Sequence, residues 1–324
     1  MKQTSGFTAT GRFLFRRTAG CAYRPERRAA RRPDGDGDTA QTFMIKAQAK
    51  AARLSVVFLH GMFGAPENWD AAAAAVRGKF QSHTPRLPMF EVPGRIDPIQ
   101  FLVETAQVKM VLANIRSAVL VGNSLGGHLA VKLALRTPGR VAGLVLCGSS
   151  GLFERGMQRT VPRRPDREWL RRKIAEVFFD PRSVTEAMID EVGRVVHHAG
   201  SALKLVRLAQ SAKRDNLAAV LPLVRVPVML IWGADDQITP LETAREFQKL
   251  LPASELHVIP RCGHAPMIEA PEEFGELLRR FLCRIQTRSG ELPSVAQRAE
   301  QEEQRAHSGK DENVHFKVRE AAAP

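Results

Sequence analysis

The feature that most constrains the fold of this chain is the pentapeptide Gly-x-Ser-x-Gly at Gly122 to Gly126, which separates two segments of different character. The apolar run Ala118 to Val121 before it predicts a buried β-strand, and the sequence from Leu125 onward predicts a helix. A tight turn between a strand and a helix strains the serine backbone and exposes its hydroxyl above the end of a sheet. The motif therefore predicts that Ser124 is a nucleophile in a layered α/β structure.

Two other strand-like runs end in polar groups that suit such a nucleophile. The run Pro227 to Trp232 precedes a loop with Asp235 and Asp236, and the run Glu255 to Pro260 precedes a loop with His264. In open α/β sheets, groups that handle ligands collect at the carboxyl ends of the strands. An imidazole with a pKa near 6.5 can take a serine proton at neutral pH. The sequence therefore predicts that the serine, the histidine and one of the aspartates meet.

Taken together, four motifs resemble the α/β-hydrolase superfamily, and in particular its lidded serine esterases and carbon–carbon bond hydrolases. The motifs are His60-Gly61-Met62-Phe63-Gly64, the pentapeptide, Trp232-Gly233-Ala234-Asp235-Asp236 and Gly263-His264-Ala265-Pro266. The resemblance extends from about Leu54 to Leu282. It implies an α/β fold of the α/β-hydrolase type, with a mostly parallel central sheet, helices on both faces and a helical lid insertion.

The resemblance also implies a catalytic triad of Ser124, Asp236 and His264. His264 would take the serine proton and return it to the leaving group, and Asp236 would hold the imidazole in the useful tautomer. In similar enzymes the acid is usually the third residue after the glycine that ends the strand. This spacing favours Asp236, with Asp235 as the alternative.

The same resemblance assigns the oxyanion-binding N–H groups to Met62 and Leu125. His60 is interpreted as a scaffold for its loop rather than as a base, and Cys262 as a packing residue. We expect no cofactor, and no two histidines are spaced with carboxylates or cysteines as a metal site would require. The four cysteines include no Cys-x-x-Cys pair, which favours a reducing compartment. We therefore predict a cytoplasmic location.

The composition of the chain changes along its length and predicts four kinds of segment. The alternation of strand-like and helical stretches indicates parallel βαβ units around one core. The predicted segments are a disordered basic N-terminal extension at 1–50, a core at 51–148 and 216–285, a helical lid at 149–215 and a polar C-terminal tail at 286–324. Residues 150–215 contain 14 Lys plus Arg against 9 Asp plus Glu. This excess could favour anionic substrates, although solvated helix faces are the simpler interpretation.

The basic N-terminal segment leaves several interpretations open. Residues 1–33 contain nine Lys plus Arg and one acid, and the whole chain has a formal net charge of +14. The segment could be a disordered extension or translated upstream sequence before a true start at Met44. It could instead be an Arg-rich organelle transit peptide, whereas nucleic-acid binding has little support without aromatic or fold context. No apolar stretch is long enough for a signal peptide or a membrane span.

These observations predict a serine hydrolase that forms an acyl-enzyme on a small carboxylic ester or related acyl substrate. The alternatives are a carbon–carbon bond hydrolase of vinylogous diketones and, in a different class, a receptor-like member of the fold that binds a ligand. Asn123 before the serine recurs in the carbon–carbon group, but Ala265 stands where that group often has tryptophan. The loop at 84–93 is also atypical of the family. We expect no nucleic-acid partner and a monomer or homodimer.

Overall fold

The computed structural model describes residues 54–153, 162 and 164–291, with side chains described as far as residue 288. In this part of the chain a sheet of six parallel strands has the order β2-β1-β3-β4-β5-β6. The strands are β1 (Ser55–Leu59), β2 (Gln81–His83), β3 (Ala118–Asn123), β4 (Val141–Cys147), β5 (Val228–Gly233) and β6 (Ser254–Ile259). The parallel sheet confirms the predicted fold class.

Helices connect these strands, as parallel pairing requires. They are α1 (Asp70–Val76), α2 (Pro98–Leu112), α3 (Leu125–Arg136), α4 (Arg167–Ala175), α5 (Glu186–His197), α6 (Ala199–Arg214), α7 (Leu241–Leu250), α8 (Pro266–Glu269) and α9 (Pro271–Glu291). Short 3₁₀ turns lie at Pro66–Trp69, Pro138–Arg140, Pro181–Ser183 and Leu221–Leu223. In the described part of the chain, no helix is both long and apolar enough to cross a bilayer.

Both faces of the sheet are buried, which explains why the central strands are continuous apolar runs. Successive side chains of β1 alternate between the faces, so Val57 packs in one core cluster and Phe58 in the other. Helices α2, α3 and α7 cover the first face, and α1 and α9 cover the second. The sheet edge is different, because Val258 in β6 is 40% exposed. The helices on both faces therefore fix the strand ends that carry the predicted site.

In its described residues, the insertion between β4 and β5 contains the helices α4, α5 and α6. The sequence predicted this insertion as a helical lid without giving the bounds of the individual helices. Each helix begins at a side chain that accepts a hydrogen bond from the first turn, in Asp166, Thr185 and His198. The boundaries of the core and of the lid at 149–215 stay predictions.

The two predicted terminal segments lie largely outside the described residues. This applies to the whole N-terminal extension at 1–50 and to residues 292–324 of the C-terminal tail. Helix α9, however, continues to Glu291, so residues 286–291 are helical where the sequence predicted the polar tail. The helix passes the predicted boundary because Ile285 is still buried there, at 3% exposure. Polar composition alone does not end a helix whose apolar stripe is still packed.

Candidate active site

The turn between β3 and α3 has the strained geometry that its sequence predicts. Ser124 has φ 54° and ψ −122°, a left-handed conformation that is rare for a residue with a side chain. A Cβ on Gly122 would lie 2.4 Å from the carbonyl group of Gly126, and one on Gly126 would lie 2.0 Å from the Leu59 oxygen. Only glycine fits at either position. The turn therefore holds Ser124 on a rigid backbone at the carboxyl end of the sheet.

The loop after β1 lies directly against this turn. A Cβ on Gly61 would be 3.2 Å from the Ser124 Cβ, so Gly61 packs against the serine. Met62 is the next residue along the chain. Leu125 is the first residue of α3, and its N–H therefore has no acceptor within the helix. Both predicted oxyanion donors thus flank the serine along the chain or in space. Their assignment as donors stays a prediction.

His60 is buried and connects its loop to the next one. Its Nε2 accepts a hydrogen bond from the Leu87 N–H at 3.0 Å, and its Nδ1 lies 2.9 Å from the Gly61 oxygen. Burial lowers the pKa of His60 below its ordinary value of 6.5, which favours the neutral ring. Both ring nitrogens are therefore occupied by backbone groups, which agrees with a scaffold role.

The structure pairs His264 with Asp236 and not with Asp235. His264 Nδ1 lies 2.8 Å from Asp236 Oδ2, and the Asp236 side chain is fully buried. Asp235 is exposed, and its backbone N–H donates to the Cys262 oxygen at 3.0 Å. Because the carboxylate can only accept, Nδ1 carries the proton and Nε2 is left as the basic nitrogen. This is the tautomer that a general base needs.

Asp236 has four hydrogen-bond donors, two on each oxygen. Oδ1 accepts from the backbone N–H groups of Ile238 at 2.8 Å and Thr239 at 2.9 Å. Oδ2 accepts from the Thr239 hydroxyl at 2.8 Å and from His264. A buried carboxylate needs such partners for its oxygens. The four donors therefore fix Asp236 in position.

The backbone of His264 makes hydrogen bonds to the end of β3 and to the segment after α4. Its N–H donates to the Val177 oxygen at 2.7 Å, and its oxygen accepts from Asn123 Nδ2 at 2.9 Å. A Cβ on Gly148, which has φ 47°, would lie 2.8 Å from His264 Nδ1. The histidine is thus enclosed by the strand ends of β3 and β4 and by the segment after α4. No hydrogen bond joins the described side chains of Ser124 and His264, a contact that often closes only with substrate.

Glu269 connects the segment after α4 to the histidine loop. Its Oε2 accepts from the Phe179 N–H at 2.6 Å, and its Oε1 accepts from the Gly263 N–H at 2.9 Å. Burial raises the pKa of Glu269, although these N–H groups oppose the change. One side chain therefore anchors the lid chain and the histidine loop to each other.

A second polar cluster joins the end of the lid to α3. His128 is buried, with Nε2 3.2 Å from Asp215 Oδ2, and Lys132 donates to Asp215 Oδ1 at 2.9 Å. The hydrogen bond from His128 is the main cause that lowers the pKa of Asp215 to about 2, and Lys132 adds to it. His128 is thus part of the junction between α3 and the lid.

The other histidines and the cysteines suggest neither a metal site nor a second nucleophile. His197 Nε2 lies 2.7 Å from the Pro165 oxygen, and His198 caps α6. Burial raises the pKa of the Cys262 thiol to about 12 and that of Cys147 further, so both are protonated. Among the described residues, no group of three or more His, Cys, Asp or Glu side chains could hold a metal ion.

Sequence reasoning named Ser124, Asp236 and His264 as candidates and missed the residues that hold the last two in place. Thr239, Glu269 and Gly148 contact the Asp236–His264 pair or its loops, and none of them belongs to a motif that predicts chemistry. Asn123 was noted only as a hint of a subgroup, whereas its side chain bonds the His264 oxygen. The one available signal was the spacing of Asp236 and Thr239, which allows a short polar turn.

A model of the family described as "Alpha/beta hydrolase family" matches residues 56–277. A 2-hydroxy-6-oxononadienedioate/2-hydroxy-6-oxononatrienedioate hydrolase of Pseudomonas sp is 32% identical over 187 residues. That match covers 52% of this chain and 64% of the relative, so the chain spans a little under two thirds of the relative's length.

Two solved structures share the fold over most of their length. An alpha/beta hydrolase enzyme from the metagenome of sediments from the lagoon of Mar Chica, Morocco, is 29% identical with a TM-score of 0.58. The match covers 71% of this chain and 91% of that one. A thermophilic esterase from Thermogutta terrifontis is 26% identical with a TM-score of 0.55, covering 72% of this chain and 90% of the esterase.

Proposed function

Because this chain belongs to the alpha/beta hydrolase family, we propose that it is a serine hydrolase that cleaves a small carboxylic ester through an acyl-enzyme. Ser124 is the nucleophile, His264 the general base and acid, and Asp236 the residue that orients the imidazole. The observation that carries the proposal is the buried Asp236–His264 pair next to a strained serine turn, with Oδ2 and Nδ1 2.8 Å apart. A structural serine has no need of either feature.

The proposed reaction follows from where the protons can go. Nε2 of His264 takes the Ser124 proton as Oγ attacks the acyl carbon, and the imidazolium that forms lies against the Asp236 carboxylate. The same proton then passes to the leaving alkoxide. A water molecule then gives a proton to His264 and attacks the acyl-enzyme. As the ester bond to Ser124 breaks, this proton passes from His264 to Ser124 Oγ. No cofactor is needed in either half.

The negative charge on the acyl oxygen requires donors that are already in place. We assign these to the backbone N–H groups of Met62 and Leu125, which flank the serine in the structure. The positive end of α3 also points at the charge that forms. Removing one such donor typically costs about 3 kcal/mol of barrier.

Cleavage of a carbon–carbon bond is the second candidate. It is favoured by the Pseudomonas relative, whose name describes a hydrolase of a 2-hydroxy-6-oxo diacid. The lid charges are only weak support for this alternative, because five of the basic side chains already pair with lid carboxylates. These side chains are Arg167, Arg171, Arg172, Lys173 and Arg182. Paired surface charges attract an anionic substrate less than free ones do.

A panel of substrates separates the candidates. We expect p-nitrophenyl acetate and butyrate to be turned over faster than a vinylogous diketone acid. Ser124→Ala should lower turnover by about 10³-fold or more. Ser117→Ala is the matched control, because this exposed serine lies just before the other end of the same strand. Faster cleavage of the diketone would favour the second candidate, and binding without turnover would favour a receptor. Full activity of Ser124→Ala would overturn the proposal.

A further inference from the structure

Thr239 lies beside the reactive pair and contacts both of its members. It is fully buried, and its Oγ1 is 2.8 Å from Asp236 Oδ2 and 3.3 Å from His264 Nδ1. Oδ2 is also the oxygen that faces the His264 N–H. The hydroxyl therefore sits at the one hydrogen bond through which Asp236 acts on the base.

The direction of the hydroxyl proton follows from the chemistry of its neighbours. The ionised Asp236 carboxylate can only accept, and the proton on His264 Nδ1 is already directed at Oδ2. The Thr239 proton must therefore also go to Oδ2. This oxygen thus has two side-chain donors, while Oδ1 has two backbone donors. Each carboxylate oxygen of Asp236 therefore accepts two hydrogen bonds.

The hydroxyl is not needed to form the local turn. The Thr239 N–H already donates to Asp236 Oδ1 at 2.9 Å, which closes the turn through the backbone. The backbone carbonyl oxygen of Thr239 also accepts a hydrogen bond from Trp232 Nε1 at 2.7 Å. Both backbone groups of Thr239 are therefore held without help from its side chain. The hydroxyl is an additional contact, and it is made to the reactive pair alone.

We propose that Thr239 is a positioning residue whose hydroxyl shares Asp236 Oδ2 with His264 and so sets how strongly the base holds its proton. This rests on the proposed function of Ser124, His264 and Asp236. A second donor on Oδ2 spreads the carboxylate charge and weakens its pull on the imidazolium. Without the hydroxyl the imidazole keeps its proton to higher pH. The active, neutral ring then forms at higher pH.

Other titratable groups near the pair must be separated from this effect. They are Asp235 on the same loop, Cys262 and Glu269 on the histidine side, and Cys147 at the end of β4. Both thiols are protonated at neutral pH because burial raises the pKa of each. Thr239→Val replaces the hydroxyl with a methyl group and shares all of these titratable groups with the parent protein. The difference between Thr239→Val and the parent protein therefore reports on the hydroxyl, and Thr239→Ser controls for the methyl group.

The test compares Thr239→Val, which keeps the shape, with Thr239→Ser, which keeps the hydroxyl. For Thr239→Val we expect kcat/KM on an ester at neutral pH to fall by up to about threefold, mostly in kcat, because a half-unit shift of the midpoint changes the fraction of neutral ring by no more than that. The midpoint of the rise of kcat/KM with pH should move up by roughly half a pH unit. Thr239→Ser should stay within about twofold of the parent protein on both measures. Thr239→Ala replaces Thr239→Val if the latter does not fold.

An NMR titration of the His264 ring in the same proteins needs no turnover. We expect its midpoint to move upward in Thr239→Val and to return in Thr239→Ser. Equal midpoints and equal pH profiles in the two variants would overturn the role of Thr239. If the ring midpoint moves while ester turnover does not depend on Ser124, the inference holds and the proposed function fails.

Discussion

The carboxyl end of the sheet and the lid are built in opposite ways. Around Ser124, backbone packs on backbone so closely that an added Cβ on Gly126 would lie 2.0 Å from the Leu59 oxygen. In the lid helix α5, an added Cβ on Gly193 meets its nearest neighbour only at 3.4 Å. The sheet end therefore tolerates no change of shape, and the lid tolerates many. Under the proposed function, we expect the first region to carry the chemistry and the second to influence the choice of substrate.

Within the described residues, the lid combines contacts to the core with exposed ion pairs. After α4, the Val177 oxygen and the Phe179 N–H bond the His264 loop and Glu269, and α6 is held through Ser211 and Asp215. Helices α4 and α5 also present exposed ion pairs such as Arg167 with Glu186. Exposed pairs contribute little because water screens them. The contrast within the lid is therefore between residues bonded to the core and exposed ion pairs.

The largest effect is expected from alanine at the two glycines. Gly126→Ala should destabilise the fold by about 3 kcal/mol or more and abolish turnover, because the methyl group collides with the backbone of β1. Gly193→Ala should instead stabilise by about 0.5–1 kcal/mol, since it replaces glycine inside a helix that has room for a methyl group. Thermal unfolding of both variants measures the difference. Equal losses of stability would contradict the contrast between the regions.

A smaller and pH-dependent effect is expected at the lid anchor Asp215. Its pKa is lowered to about 2 from 3.8, so its interactions with His128 and Lys132 stabilise the fold above pH 3.8. This stabilisation is lost as the pH falls toward 2. Asp215→Asn should cost about 1 kcal/mol at neutral pH.

The Tm difference between Asp215→Asn and the parent protein should shrink as the pH is lowered from 4 to 2. Asp190→Asn, at an exposed carboxylate in the middle of the lid, is the control and should show little change. A Tm difference for Asp215→Asn that does not vary with pH would show that the anchor is not electrostatic.

The smallest effect is expected at the exposed ion pairs of the lid. Arg167 pairs with Glu186 and Asp190, and its side chain is 58% exposed. Arg167→Gln should leave the Tm and the ester turnover within experimental error. A clear loss of stability would mean that these exposed pairs hold the lid as firmly as its bonds to the core do.

The sequence was sufficient for what depends on local patterns. The strained serine turn needs glycines at fixed positions, and buried parallel strands need apolar runs, so Ser124 and the strands around it were predictable. The assignment of Asp236 and His264 as partners of Ser124 followed from the resemblance to a family.

The supporting contacts were not predictable for a physical reason. Thr239, Asn123 and Glu269 act through hydrogen bonds whose partners are set by how distant loops meet. The spacing of apolar residues along the chain carries no information about contacts between distant loops.

The most direct test of the central claim is to label the protein with a fluorophosphonate and to map the modified peptide by mass spectrometry. We expect one adduct per chain, on Ser124, which disappears in His264→Gln and forms normally in Ser117→Ala. An adduct on another residue would contradict the account. So would ester turnover that continues after Ser124 has been fully modified.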